Sequence, residues 1–368
     1  MTQKYQSLEV RAGPRALSHL REHGLRPHDI DIVPGAAGGP KGLGLARLDE
    51  WLFADWLPQS FAARTTPVQL IGASIGAWRF AAVCRGHNAA DTRVALSELA
   101  QGYCAQHYPR NVSAASVSAD ARELLGKMFR GRELEVLTHP HYRLNILVVR
   151  GKGILQREQR FRTATGFAMA AFANAAGRRH LSRFLDRHWF FDGRELPLIA
   201  EGERFDHFLT HAERLTPGNF ADALLASGSI PLVLEGVANI AGARAGTYWD
   251  GGIIDYHLHL PYARSPGLTL YPHFTGKIIP GWLDKALPWR EAAGPWLDNL
   301  ILLSPSPEYL ARLPHGKLPD RNDFKRYVDD FAGRQKYWQF AMDESARLRD
   351  EFATMVADGS LATHAQPI

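Results

Sequence analysis

At 368 residues, with 45% apolar and 22% charged residues, the chain can bury a sizeable core and has the composition of an ordinary globular protein. Its net charge of +5 comes from Lys and Arg scattered along the chain rather than gathered in blocks, which argues against nucleic acid as a partner. Two cysteines without a C-x-x-C pair exclude a disulfide framework and a zinc site, and the lack of a signal-like or membrane-length apolar run leads to the expectation of a cytoplasmic protein.

Residues 1–28 read as an N-terminal lead-in with a short helix from Pro14 to His23, ended by Gly24. Asp29 to Val33 alternates and is β-branched, which predicts the first strand. A glycine loop, Gly35-Ala36-Ala37-Gly38-Gly39-Pro40-Lys41-Gly42, follows at once, and Leu45, Leu48, Leu52 and Trp56 then recur at helical spacing. Pro40 suits a first helical turn, so the loop joins a strand to a helix start, where free N–H groups favour an anion. A Walker A loop needs Gly-Lys followed by Ser or Thr, and here Gly42 follows Lys41. The glycine spacing is equally wrong for a dinucleotide fingerprint. What remains is a loop presenting amides to an oxyanion, or a structural turn.

Val68 to Ile71 is a short apolar strand leading into Gly72-Ala73-Ser74-Ile75-Gly76 and a helix of small residues. In that strand–turn–helix context G-x-S-x-G marks a nucleophile elbow, whose tightness demands glycine two residues before and after the serine. The bland alternative is a glycine-rich turn with a buried serine. Strand, helix and strand form a βαβ unit, which predicts a parallel, doubly wound sheet. Its ligand crevice lies at the carboxyl ends of the strands, where Gly38, Gly39 and Ser74 all emerge.

Ala89 to Ala105 and Ser118 to Phe129 read as helices, the second capped by Ser118. Tyr142 to Val149 reads as a buried strand, and 151–202 as a mobile or covering insertion. Pro217 to Ser227 is a helix with Thr216 as N-cap, running into Ala226-Ser227-Gly228-Ser229-Ile230-Pro231. Leu268 to Tyr271 and Asn299 to Leu303 are further strands. Asp323 to Phe352 reads as a helical cap broken near Gly333.

Gly246 to Trp249 is an apolar strand that ends in Asp250-Gly251-Gly252, and Asp250 is the carboxylate to pair with Ser74. A serine hydroxyl needs an adjacent base, and burial raises a carboxylate's pKa toward the working range. A plain Asp-Gly turn is the competing reading, and Asp192-Gly193, which lacks the second glycine, is assigned to it.

Four pieces in this order, Gly38-Gly39-Pro40-Lys41-Gly42, Gly72-Ala73-Ser74-Ile75-Gly76, Ala226-Ser227-Gly228-Ser229-Ile230-Pro231 and Asp250-Gly251-Gly252, resemble the patatin-like phospholipase family. The resemblance implies an α/β fold: a three-layer α/β/α sandwich around a mostly parallel sheet. It also implies a Ser–Asp dyad with no histidine, no cofactor and no metal. On that pattern Ser74 is the nucleophile and Asp250 the base of a phospholipase A- or lysophospholipase-like hydrolase acting on a lipid or acyl ester. The amides of Gly38, Gly39 and Ile75 bind the oxyanion, Lys41 takes the family's basic position, and Gly72, Gly76, Gly251 and Gly252 shape the turns. Residues 29–260 form the core on this reading, with the insertion at about 151–202, and 261–368 supply strands and a helical cap. Two departures stand out. Ala36 and Ala37 replace the first two positions of the family's Asp-Gly-Gly-Gly loop, and Ile253-Ile254-Asp255-Tyr256-His257 replaces its Asn and Pro.

Two other readings stay open: an α/β-hydrolase esterase using His257, His259 or His273 downstream of Asp250, and a non-catalytic lipid-binding scaffold. His257 and His259 share a strand face by alternation, as metal ligands would, but lack a third ligand. Trp282, Trp289 and Trp296, beside Lys285 and Arg290, read as core, with peripheral membrane contact as the competing reading. Pro288 and Pro295 interrupt any helix across them.

Overall fold

The computed structural model describes residues 6–287, 289–292 and 294–368; Pro288 lies outside the described residues. Twelve strands build one sheet. They are β1 (Leu8–Ala12), β2 (Ile30–Gly35), β3 (Val68–Ala73), β4 (Tyr142–Gly151), β5 (Leu185–Phe191), β6 (Arg204–Phe205), β7 (Phe208–Arg214), β8 (Val237–Ala238), β9 (Thr247–Asp250), β10 (Leu268–Pro272), β11 (Leu300–Pro305) and β12 (Ala365–Pro367). Their order is β12-β1-β11-β10-β2-β3-β4-β5-β7-β6, with β9 also paired to β4 and β8 to β9. The middle run β11-β10-β2-β3-β4 is parallel throughout. Successive side chains on a strand face opposite sides, and all six residues of β11 are buried. Both faces of the sheet are therefore covered, which makes the architecture helix–sheet–helix. Near-continuous apolar sequences such as Leu300-Ile301-Leu302-Leu303 follow from that burial.

The helices Pro14–His23 and Ala89–Ala105 fall where spacing and caps place them. Other elements differ. The lead-in contains β1, which pairs antiparallel with β11, and β12 completes that edge. The insertion contributes β5, which lies along β4 inside the sheet, as well as the helix Arg160–Ala176. A helix starts at Ala114 with Ser113 as its cap, and Ser118 lies buried within it, accepting a hydrogen bond from the Glu235 N–H. The C-terminal helical stretch breaks before Asp330 and at Ser345, because the Asp330 side chain caps a new helix (Phe331–Glu344) that contains Gly333. His257 and His259 lie outside any strand, so alternation does not apply to them. The three tryptophans are surface residues; Trp289 is 74% exposed.

A buried ion pair fastens the segment after β9 to the sheet. Arg187 on β5 donates through Nε and Nη2 to both carboxylate oxygens of Asp255, each at 2.7 Å, and the arginine is wholly inaccessible. Removing one partner leaves an uncompensated buried charge, a far larger loss than removing both. Asp255→Ala is expected to lower stability by about 3–5 kcal/mol in urea unfolding, and Arg187→Met/Asp255→Leu by much less. Equal losses in the two variants would contradict this account.

Candidate active site

β3 ends at Ala73, and Ser74 turns the chain with φ 54° and ψ −129° into the helix Ile75–Arg85. A non-glycine residue in that region carries about 1–3 kcal/mol of strain, so its surroundings must hold it there. Two contacts explain the flanking glycines. A Cβ on Gly76 would lie 1.8 Å from the carbonyl oxygen of Gly35 on β2, and one on Gly72 would lie 2.4 Å from the Ala77 nitrogen. The turn is clamped by Ser227, whose hydroxyl accepts from the Ser74 N–H at 2.9 Å and donates to the Leu147 carbonyl at 2.8 Å.

Asp250 reaches Ser74 through strand register. Along β4, Ala73 is opposite Leu147, and Asp250 is opposite Val148. β5 occupies the other side of β4 over the same residues, so β9 must continue the side that β3 vacates. Since β3 runs parallel and β9 antiparallel to β4, their C-terminal ends meet head-on. The Asp250 carboxylate accepts a hydrogen bond from the Gly252 N–H at 2.7 Å and lies close enough to the Ser74 side chain to interact with it. Burial raises its pKa above the usual aspartate range, while the Arg321 charge, Ser74 and the Gly252 N–H act in the opposite sense. The glycine pair beside it is steric in origin. A Cβ on Gly251 would lie 2.2 Å from the Leu147 carbonyl oxygen, and one on Gly252 2.5 Å from the Ala37 Cβ.

The glycine loop closes over this pair from β2. The Ala37 N–H is consumed by the Tyr256 carbonyl at 3.0 Å, whereas Gly38, Gly39 and Ile75 stand at helix starts, where an N–H has no intrahelical acceptor. Gly39 has φ +56°, and a Cβ on Gly38 would lie 2.5 Å from the Phe274 ring. Lys41 lies behind the loop, its Nζ 4.9 Å from the centre of that ring, and burial followed by the charge of Lys285 brings its pKa down to about 8.

Gly39, Ser74 and Ile75 open onto a cavity of about 610 Å³, within the usual range for ligand sites. One side is apolar, with Trp78, Val117, Leu124, Leu225 and Leu234; another is built by Arg321, Phe324, Lys325 and Val328. Sequence reasoning missed this second wall. The i, i+4, i+7 spacing of Arg321, Lys325 and Val328 was the available signal, but it reads equally well as an ordinary amphipathic helix. Among the described residues no histidine lines the cavity. His257 Nδ1 is engaged with the Ile279 N–H and His273 Nδ1 with the Thr275 N–H, both at 3.0 Å. Burial drives both imidazoles to the neutral form.

No protein-family model and no curated protein matches this sequence. Among solved structures the chain is similar to VipD from Legionella pneumophila, at 13% identity and a TM-score of 0.34, covering 94% of this chain and 71% of that one. A likeness of that size assigns no activity.

Ionising Asp250 in its buried position opposes folding. A folded-state pKa above the unfolded value means that the folded chain holds the proton longer, so this contribution is fully present below the unfolded pKa and lost as pH rises through the folded one. Asp250→Asn keeps an oxygen acceptor and never ionises. Its thermal midpoint is expected to exceed that of the wild type at neutral pH, with the difference vanishing in acid. A wild type more stable than the variant at neutral pH would refute the assignment.

Proposed function

We propose that the chain is a serine acyl hydrolase that cleaves fatty acyl esters through a Ser74–Asp250 dyad, as its likeness to patatin-like phospholipases implies. The observation that carries this reading is Ser74, at the wall of a largely apolar cavity, set beside the buried Asp250 carboxylate by strand register. Ser74 Oγ attacks the ester carbonyl while Asp250 takes its proton. The amides of Gly38, Gly39 and Ile75 receive the oxyanion. Collapse breaks the bond to the alcohol, which leaves with the proton from Asp250. Water then attacks the acyl-enzyme, again deprotonated by Asp250, and the fatty acid and free Ser74 are released. The raised pKa suits both halves, since the group must accept and return one proton.

No helix among the described residues is long and apolar enough to cross a membrane. Peripheral contact is part of the proposal. The helix Arg160–Ala176 exposes Met169 and Phe172, the latter by 79%, and the neighbouring segment exposes Trp282 and Trp289. Asp284 ties the two together by bonding Asn174 at 2.7 Å and Arg290 at 2.8 Å. Arg179, Arg183 and Lys285 lie nearby in sequence with no carboxylate partner among the described residues, a combination that suits an anionic lipid surface.

Hydrolysis of p-nitrophenyl esters across acyl lengths tests the chemistry. Ser74→Ala and Asp250→Asn are each expected to lower kcat/KM by about a thousandfold or more, with His259→Gln remaining active. Turnover surviving in either dyad variant would overturn the mechanism. Co-sedimentation with vesicles tests the surface. Binding is expected to phosphatidylglycerol-containing vesicles, weakened by salt and by Phe172→Ser/Trp289→Ser. Equal sedimentation of the double variant and the wild type would remove the proposed face.

A further inference from the structure

The glycine loop spends one of its amides on the fold. Ala36 and Ala37 form its first half, and the Ala37 N–H is already bonded to the Tyr256 carbonyl at 3.0 Å. A side-chain donor stands close to the amides that remain. Tyr103, in the last turn of the helix Ala89–Ala105, lines the large cavity together with Gly39, Ser74 and Ile75. With Gly42 and Ile75 it also lines a second cavity of about 100 Å³. Shared by both spaces, Tyr103 stands where the glycine loop meets the helix that follows Ser74.

Its hydroxyl lies 3.3 Å from the point that a Cβ on Gly39 would occupy, and Arg321 Nε lies 3.1 Å from the same point. A side chain at position 39 would crowd both groups, and the φ of +56° there would strain it. Glycine leaves room for the phenol beside the loop. That hydroxyl is uncommitted. Among the described residues it has no hydrogen-bond partner, while its ring packs against Trp338 with centroids 6.1 Å apart. A buried hydroxyl ordinarily finds a partner, and here the open direction is the cavity. Burial raises the pKa of the phenol, the Arg321 charge opposes that rise, and Asp250 adds to it. The group therefore keeps its proton and offers it as a hydrogen bond.

We propose that Tyr103 is a further catalytic residue, whose hydroxyl donates a hydrogen bond to the ester oxygen that becomes the oxyanion, beside the amides of Gly39 and Ile75. The inference rests on the acyl-hydrolase reading and adds a side chain to it. As Ser74 Oγ bonds to the carbonyl carbon, the carbonyl π pair moves onto oxygen, and the phenol bond to that oxygen shortens. The phenol proton is not transferred. A donor that strengthens only as charge develops acts on kcat and leaves KM nearly unchanged. The other role open to a hydroxyl at this place is protonation of the leaving alcohol, and the choice of substrate separates the two.

The experiment compares full-length wild type with Tyr103→Phe, which keeps the ring, on the p-nitrophenyl and methyl esters of hexanoic acid. Because p-nitrophenolate leaves without a proton, help to the leaving group matters only for the methyl ester. Tyr103→Phe is expected to lower kcat by about tenfold to a hundredfold on both esters, with KM nearly constant and the thermal midpoint unchanged. Loss confined to the methyl ester would reassign the hydroxyl to the leaving group and overturn the proposal. Full activity in Tyr103→Phe would overturn it as well and leave the hydrolase reading standing. A wild type that turns over neither ester would instead sink the hydrolase reading.

Inhibition gives a second measurement. Ser74 Oγ adds reversibly to the carbonyl carbon of 1,1,1-trifluoro-2-decanone, leaving an oxyanion on the former carbonyl oxygen and the serine proton on Asp250. The alcohol 2-decanol fills the cavity without forming one. Tyr103→Phe is expected to weaken inhibition by the ketone about tenfold or more and to leave that by the alcohol unchanged. Equal weakening of both would mean that the hydroxyl only shapes the cavity, and would overturn the proposal.

Discussion

The site depends on how β4 shares one of its edges. β3 occupies that edge up to Leu147, and β9, arriving from the opposite direction, occupies it from Val148 onward. Two strands that end against each other on a common neighbour place their last residues together, which brings a hydroxyl at one end within reach of a carboxylate at the other. Neither strand could be lengthened without a collision, so Ser74 and Asp250 each stand where their chain has to turn. Ser227 strengthens the junction by linking the Ser74 amide to the β4 carbonyl at the same point.

Strain and burial are concentrated at this junction. Ser74 sits in an unfavourable backbone region, Asp250 is a carboxylate held out of water, and Gly76 touches β2 so closely that no side chain fits between them. Each feature costs stability locally, and the surrounding sheet, buried on both faces, offsets it. The Arg187–Asp255 pair has a related role, because it anchors the chain just beyond the Gly251–Gly252 turn.

The C-terminal third of the chain does more than cover the sheet. β10 and β11 extend the parallel run beside β2, β12 pairs with β1, and the segment from Arg321 to Val328 supplies a cavity wall with its own charge. Ser74 and Asp250 therefore come from the ends of β3 and β9, while part of the cavity lining comes from a late segment of the chain.

Short-range rules made part of this legible in the sequence. Gly72 and Gly76 around Ser74, Pro14 and Gly24 at a helix's ends, and the apolar runs of β3, β4 and β11 follow from turn geometry, capping and burial, each written within a few neighbouring residues. The β2–helix–β3 crossover followed too, because right-handed connections between parallel strands leave little choice. Position in the sheet was another matter. β1 and β5 have partners far along the chain, so Leu8–Ala12 passed for a lead-in and Leu185–Phe191 for part of an insertion. The tryptophans passed for core because hydrophobicity alone does not say which apolar residues the surface keeps. Arg321 was invisible as a site residue for the same reason: a lone arginine on an amphipathic stretch acquires meaning only from what the folded chain sets opposite it. Local sequence determined where the chain must turn and which residues occupy the turns; tertiary structure alone decided which turns face one another, because that depends on strand register and packing between segments that share no local signal.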